Sequence, residues 1–99
     1  MTANKRMIIE AIREIDHNSK LFYQQKEKEG YASLENTLAL LIQATNVILE
    51  NNLEHIDGQV LNTILLNAMN AMNAKDSILL SDILYFDLKP LLEQAAMLI

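Results

Sequence analysis

The sequence predicts an all-α fold, an antiparallel up-down four-helix bundle formed by one domain over residues 1–99. Of the 99 residues, 51% are hydrophobic and 21% are charged, which provides enough apolar material for a substantial core. Two glycines and one proline are too few for an all-β fold, which needs a turn about every ten residues. Apolar residues recur at steps of three and four in four successive segments, as they do along one face of an α-helix.

The first helix is predicted over residues 2–28. Its apolar side chains follow a heptad-like stripe: Ile8, Ile12, Ile15 and Phe22. Thr2 is a suitable N-cap, because its hydroxyl can accept a hydrogen bond from a free amide of the first turn. Gly30 is predicted to end the helix, since a left-handed residue just past a helix C-terminus costs glycine nothing.

The second helix is predicted over residues 31–51, and it has the most regular pattern in the chain. Its inward positions alternate steps of three and four: Tyr31, Leu34, Leu38, Leu41, Thr45 and Ile48. The helix is predicted to end at Asn51–Asn52, because asparagine favours local turns over helix interiors.

The third helix is predicted over residues 58–74, after Asp57, whose carboxylate can cap the first turn. Its inward positions are also apolar: Val60 or Leu61, Ile64, Leu65, Ala68 and Met72. Residues 67–73 contain the step Asn-Ala-Met twice, and two interpretations stay open. Met69 and Met72 form an adaptable contact surface beside small alanines, or the methionines fill the core behind a solvated asparagine edge.

The fourth helix is predicted over residues 77–98, with Asp76 or Ser77 as its cap. Pro90 interrupts the pattern, because it cannot donate to the carbonyl of Phe86 and costs about 3 kcal/mol inside a helix. Either the helix kinks near Pro90, or it is broken there and a short final helix begins at the proline. The kink is favoured, because the residue before Pro90 is a lysine, which cannot accept the hydrogen bond of an N-cap.

The fourth helix also holds more apolar residues than a surface helix needs. From Ile78 to Ile99, 15 of 22 residues are apolar, whereas a surface helix of a bundle needs about three or four positions in seven. Tyr85, Phe86 and Met97 are therefore predicted to form an interface with a second copy of the chain or with a partner helix. The alternative is that the helix lies centrally and buries its excess inside the domain.

A pattern of leucines and acidic residues surrounds the proline: Asp76-x-x-Leu79-Leu80-x-Asp82-x-Leu84-x-x-x-Leu88-x-Pro90-Leu91-Leu92. In this pattern the chain resembles small all-helical domains of unknown function from Firmicutes, with Tyr85 standing where that pattern has an acidic residue. The resemblance implies a bacterial helical bundle without an assigned activity. In size, acidity and helix content the chain is also similar to flagellar and secretion export chaperones, which is an analogy of class alone.

Charge and composition restrict the partners. The net charge is −5, of which residues 1–30 contribute about +1 and residues 31–99 about −6. The bases of the first segment alternate with acids, whereas binding to phosphate backbones needs clustered bases, so no nucleic acid is predicted as a partner. No apolar run approaches the ~20 residues that span a bilayer, and the first residues do not form a secretory signal. A cytoplasmic location without membrane contact is expected, and the absence of cysteine agrees with a reducing compartment.

The sequence contains few residue patterns that could support catalysis or metal binding. Glu14 and His17 form one Glu-x-x-His step, but carboxylate-bridged metal bundles need that step twice, and the positions before His55 do not repeat it. The only glycines, Gly30 and Gly58, exclude a glycine-rich phosphate loop. No serine or threonine lies one helical step from a histidine, as a nucleophile and its base would require. No cofactor, metal or small-molecule substrate is predicted, and the protein is not expected to be an enzyme.

These observations favour a non-enzymatic protein–protein interaction module, an adaptor or chaperone-like small helical protein that acts through an apolar surface on the last helix. The predicted interface residues are Tyr85, Phe86, Met97, Met69 and Met72, and the partner is another protein or a second copy of the chain. Two alternatives stay open: a small metal-dependent bundle that uses Glu14 and His17, and an antitoxin-like regulatory subunit.

Overall fold

The computed structural model of the chain describes residues 2–51 and 56–99. The helical elements in these ranges are, in chain order, α1 (Ala3–Tyr23), α2 (Glu27–Glu50), α3 (Gly58–Asn73), α4 (Ser77–Asp82), a π-helical segment (Ile83–Leu88) and α5 (Lys89–Leu98). No strand occurs in either range, which confirms the predicted all-α class. The antiparallel up-down order of the helices stays a prediction.

Three helix N-termini carry the side-chain caps that the sequence predicts. The Thr2 hydroxyl accepts from the Lys5 amide (3.1 Å) at the start of α1. The Asp57 carboxylate accepts from an amide of the first turn of α3 (2.8 Å), and the Asp76 carboxylate does the same for α4 (3.1 Å). Asp76 is thus the cap of the last helix, while Ser77 donates to the Glu27 carboxylate of α2 (2.9 Å).

The break between α1 and α2 lies earlier than the predicted stop at Gly30. α1 ends at Tyr23, and the left-handed residue that follows it is Gln25, with φ 61°. Gly30 lies within α2 and is buried. A β-carbon at this position would come within 2.7 Å of the Phe22 ring, so no larger residue fits without a shift. A glycine is therefore required here by the close approach of α1 and α2, and not by a left-handed backbone conformation at a helix end.

α1 packs between α2 on one side and the last helix, α4 to α5, on the other. α3 packs against α4 and the π-helical segment, and the closely packed pairs of the described residues do not include α2 with α3. The core between these elements is built from large apolar side chains: Ile8, Ile15, Phe22, Leu34, Leu41, Ile48, Leu61, Leu80, Leu84, Leu88 and Leu92. The last helix thus contacts both α1 and α3.

The chain stays helical from Ser77 to Leu98, and its turns widen immediately before Pro90. The Lys89 amide donates to the Leu84 carbonyl oxygen, five residues earlier instead of four. A proline has no amide hydrogen and its ring crowds the preceding turn, and π-type turns are one of the ways in which a helix accommodates such a position. The predicted kink itself stays a prediction.

None of the helices in the two described ranges has the length and apolar content needed to cross a lipid bilayer.

Candidate functional site

The last helix buries about half of its apolar residues within the domain. Its buried apolar side chains are Leu80, Ile83, Leu84, Leu88, Leu92, Ala95 and Ala96. Its exposed ones are Ile78, Leu79, Tyr85, Phe86, Met97 and Leu98. The central position of the helix therefore accounts for much of the apolar excess, and the predicted Tyr85, Phe86 and Met97 remain exposed.

Three exposed aromatic side chains lie together where α1 meets the π-helical segment, and we call Tyr23, Tyr85 and Phe86 the aromatic surface. The rings of Tyr85 and Phe86 meet edge to face, with centroids 5.1 Å apart and planes at 78°. Phe86 is 64% exposed. The other two aromatic residues, Phe22 and Tyr31, pack on each other with centroids 5.0 Å apart and are not part of this surface.

Polar contacts hold the aromatic surface in place. The Lys89 ammonium lies 2.7 Å from the Asp16 carboxylate and 4.6 Å from the centroid of the Tyr85 ring. The Tyr23 hydroxyl donates to the Asp82 carboxylate at 2.5 Å. These contacts join α1 to the last helix and order the rings of Tyr23 and Tyr85.

The same contacts shift two pKa values upward. Burial and the hydrogen bond to Asp82 raise the pKa of Tyr23 to about 12. The Asp16 carboxylate raises the pKa of Lys89, since it accepts a hydrogen bond from the ammonium. Near neutral pH the tyrosine is therefore a neutral donor and the lysine a cation.

A shallow groove of about 640 Å³ runs beside the aromatic surface, between α1 and the last helix. Its lining is mixed in polarity: Asp16, Ser19, Lys20, Tyr23, Gln24, Tyr85 and Lys89. The Ser19 hydroxyl is buried and has no hydrogen-bond partner in the described part of the chain. The groove therefore offers a donor, an acceptor and a charge of each sign beside aromatic rings, which suits a partner side chain with both apolar and polar atoms.

Met69 and Met72 lie on a different surface, an apolar groove of about 180 Å³ between α2 and α3. All the side chains that line this groove are apolar: Leu38, Leu41, Ile42, Leu65, Ala68, Met69, Met72 and Leu84. Met97 is 84% exposed and lines neither groove. The structure therefore divides the predicted interface residues between two surfaces and one separate position.

Some residues of the two surfaces were not predicted as interface residues. Only the packing of α1 on the last helix brings Tyr85 together with Tyr23, Asp16 and Lys89. Ile42 follows the buried Leu41 on α2 but points away from the core. One sequence feature could have identified such residues: an aromatic or branched side chain immediately outside an apolar stripe, as Tyr23 is beside Phe22.

The alternative prediction was a metal site that uses Glu14 and His17. In residues 2–51 and 56–99, no group of three or more His, Asp or Glu side chains is placed to hold an ion. The Glu14 carboxylate lies 3.4 Å from the Thr37 hydroxyl oxygen, and His17 is exposed. His55 lies outside the described residues.

A family model described as a domain of unknown function (DUF8042) matches residues 4–96. The chain belongs to this family. The match confirms the predicted resemblance to a small helical domain of unknown function, and it extends across all the helices from α1 to α5. No curated protein and no solved structure matches the chain. Both grooves lie within the part of the chain that the family model covers.

Proposed function

We propose that this domain of the DUF8042 family is a non-enzymatic protein–protein interaction module, an adaptor or chaperone-like small helical protein. Its binding surface is the aromatic surface of Tyr23, Tyr85 and Phe86 together with the groove beside it. The observation that supports the proposal most strongly is that the three exposed aromatic residues cluster, while the two others pack on each other away from this surface. Aromatic residues are enriched at protein interfaces and dominate their binding free energy.

Phe86 is the expected anchor of the interface. It is 64% exposed in the free domain, so a partner that covers it removes a large apolar area from water. Complete burial of a side chain of this size contributes about 1.5–3 kcal/mol. Tyr85 is already held against Phe86 and below the Lys89 ammonium, so little side-chain entropy is lost when a partner covers it.

The groove adds directional contacts around this anchor. Lys20 lies at the groove beside the Asp16–Lys89 ion pair, and the Ser19 hydroxyl lies at its wall without a partner. Polar groups at the rim of an interface contribute mainly to orientation and specificity. We therefore expect a partner that places an apolar side chain on Phe86 and a hydrogen-bonding group in the groove.

The location, the partners and the helix order are expected to be those that the sequence predicts. A cytoplasmic, bacterial protein is expected, with no nucleic acid or membrane as a partner. The helices are expected to run antiparallel in an up-down order, since three residues join α1 to α2 and three join α3 to α4. The last helix is expected to bend near Pro90, where its turns widen.

Site-specific photo-crosslinking in the native host tests the proposal. A benzophenone amino acid replaces Phe86 in one strain and Val60 in the other. Val60 is also a large exposed apolar residue, but it lines neither groove. We expect one discrete adduct with another protein at position 86 and no adduct with another protein at position 60, and the adduct mass identifies the partner.

A substitution completes the test. Phe86→Ala should reduce recovery of the crosslinked partner at least tenfold from a probe placed at Gln24, which also lines the groove. Val60→Ala should leave that recovery unchanged. Identical adduct patterns at positions 86 and 60, or full recovery with Phe86→Ala, would show that the aromatic surface does not bind a partner.

A further inference from the structure

The apolar groove between α2 and α3 lies apart from the aromatic surface and leaves large side chains in contact with water. Leu41, Ala68 and Leu84 are buried at its base. Ile42 and Met69 line it from opposite helices, and they are 61% and 52% exposed. Because α2 and α3 are not closely packed on each other in the described part of the chain, the domain does not close this groove itself.

The helices on both sides of the groove carry almost no charge. Residues 36–49 of α2 and the whole of α3 contain no Asp, Glu, Lys or Arg. The rest of the chain holds the charges, as in the run of acids and bases along α1 and the acids of the last helix. A partner at this face must therefore be uncharged over a comparable area, because a buried charge facing it would find no counter-charge.

A second copy of the chain meets that requirement by symmetry. A two-fold axis pairs a face with itself, so the uncharged face of one copy meets the same uncharged face of the other. Each copy carries a net charge of −5, so contact through charged faces would bring like charges of two copies together. Contact through α2 and α3 keeps these like charges away from the interface.

The size of the face also suits a dimer. At about 1.5 Å per residue, the 14 uncharged residues of α2 and the 16 residues of α3 span about 21 Å and about 24 Å. Two neighbouring helices, each about 10–12 Å wide, present a face on the order of 500 Å² per copy. A biological interface buries at least about 1,000 Å² in total, and two such faces reach this size.

We propose that the apolar groove between α2 and α3 is the interface of a two-fold homodimer. Ile42 and Met69 form ridges beside the groove, and each ridge of one copy packs into the groove of the other. Methionine suits this contact, because its flexible side chain adapts to an irregular surface. The dimer is independent of the proposed partner surface, since the two grooves share no residue.

Sedimentation equilibrium of the full chain tests the dimer at concentrations up to about 200 μM, where even a micromolar association is complete. We expect the wild-type mass to reach twice 11.2 kDa. Ile42→Glu and Met69→Glu each place a charge in the apolar face and should raise the dissociation constant at least ~100-fold. Phe86→Glu is the matched control, because it adds the same charge at an equally exposed residue of the aromatic surface, and it should leave the dimer unchanged.

A second measurement does not depend on a disruptive substitution. The chain has no cysteine, so Ile42→Cys and Phe86→Cys each create a single thiol. A short bis-maleimide should join two copies through position 42 and not through position 86. A wild-type chain that stays monomeric throughout would overturn the proposal, as would a dimer that Phe86→Glu dissociates and Ile42→Glu does not.

Discussion

The two sides of α2 make different kinds of contact with the rest of the domain. Against α1, α2 is joined by a buried polar network and by the close approach of Gly30 to Phe22. Towards α3, it presents only apolar side chains around an open groove. Polar and steric detail selects a single alignment of two helices, whereas apolar surface alone leaves the choice of neighbour open. We infer that the first side fixes the fold and that the second is available for association.

The polar network centres on Asn18, which is fully buried in α1. Its amide donates to the Gly30 carbonyl oxygen (3.2 Å) and to the Ser33 hydroxyl, and its side-chain oxygen accepts from the Thr37 hydroxyl. A shift of α2 along α1 would leave these buried groups unpaired, which costs free energy for each group. The network therefore sets the register of α1 and α2.

The largest contrast is expected between Phe22 and Ile42, which are apolar residues on the two sides. Phe22→Ala removes a buried ring at the contact with Gly30 and should lower the free energy of unfolding by about 3–5 kcal/mol. Ile42→Ala truncates a side chain that is mostly in water and should lower it by less than about 1 kcal/mol. Urea denaturation of both variants measures the difference, well below the concentration at which dimers form. Equal losses would mean that the two sides are equally packed.

The next effect comes from the polar network itself. Asn18→Ala leaves the Ser33 and Thr37 hydroxyls and the Gly30 carbonyl without their shared partner, and the expected loss is about 2 kcal/mol. Asn67→Ala on α3 removes an exposed amide and should change stability by less than about 0.5 kcal/mol. Thermal unfolding followed by circular dichroism compares the two variants. A loss for Asn18→Ala no larger than that for Asn67→Ala would remove the network as a stabilising feature.

The two glycines provide a smaller contrast. Gly30→Ala places a β-carbon 2.7 Å from the buried Phe22 ring and should lower stability by about 1–2 kcal/mol, despite the better helix propensity of alanine. Gly58→Ala meets only the end of the Leu49 side chain at 3.2 Å, which can move aside. It should therefore be neutral or slightly stabilising in the same urea experiment. A neutral Gly30→Ala would show that the approach of α1 and α2 can relax.

The smallest effect is expected at alkaline pH. The folded-state pKa of Tyr23 is about 12 and its ordinary value is 10.0, so the folded state retains the phenolic proton that the unfolded state loses. This contribution is fully present below pH 10 and is lost as the pH rises towards 12. Because Tyr23 is partly exposed, the loss should stay below about 1 kcal/mol. Tyr23→Phe should remove this component of the alkaline decline in stability, whereas Tyr85→Phe should retain it.

The elements of the fold followed largely from the sequence, because apolar spacing and cap residues act locally. Thr2, Asp57 and Asp76 cap the helices as predicted. The end of α1 could not be predicted from Gly30, because what requires a glycine there is the Phe22 ring on another helix. The role of Asn18 depends in the same way on two residues more than ten positions away in the chain.

The candidate site was predicted only in part. The excess of apolar residues identified Tyr85 and Phe86, and both are exposed. It could not show that the same helix contacts α1 and α3 and thereby buries about half of this excess. Nor could helical spacing show that Met69 and Met72 belong to a separate groove with α2, since α2 and α3 are brought together by tertiary packing alone.

We propose that the side of α2 that faces α3 is open for association, whereas the side that packs on α1 is not. Methyl NMR of the unmodified chain tests it directly, from about 10 μM to about 1 mM, a range that covers the affinities expected for a small interface. We expect concentration-dependent shifts at Ile42 and Met69 and constant shifts at Ile8, Ile15 and Met97. Constant shifts at Ile42 and Met69, or changes that centre on Met97, would contradict it.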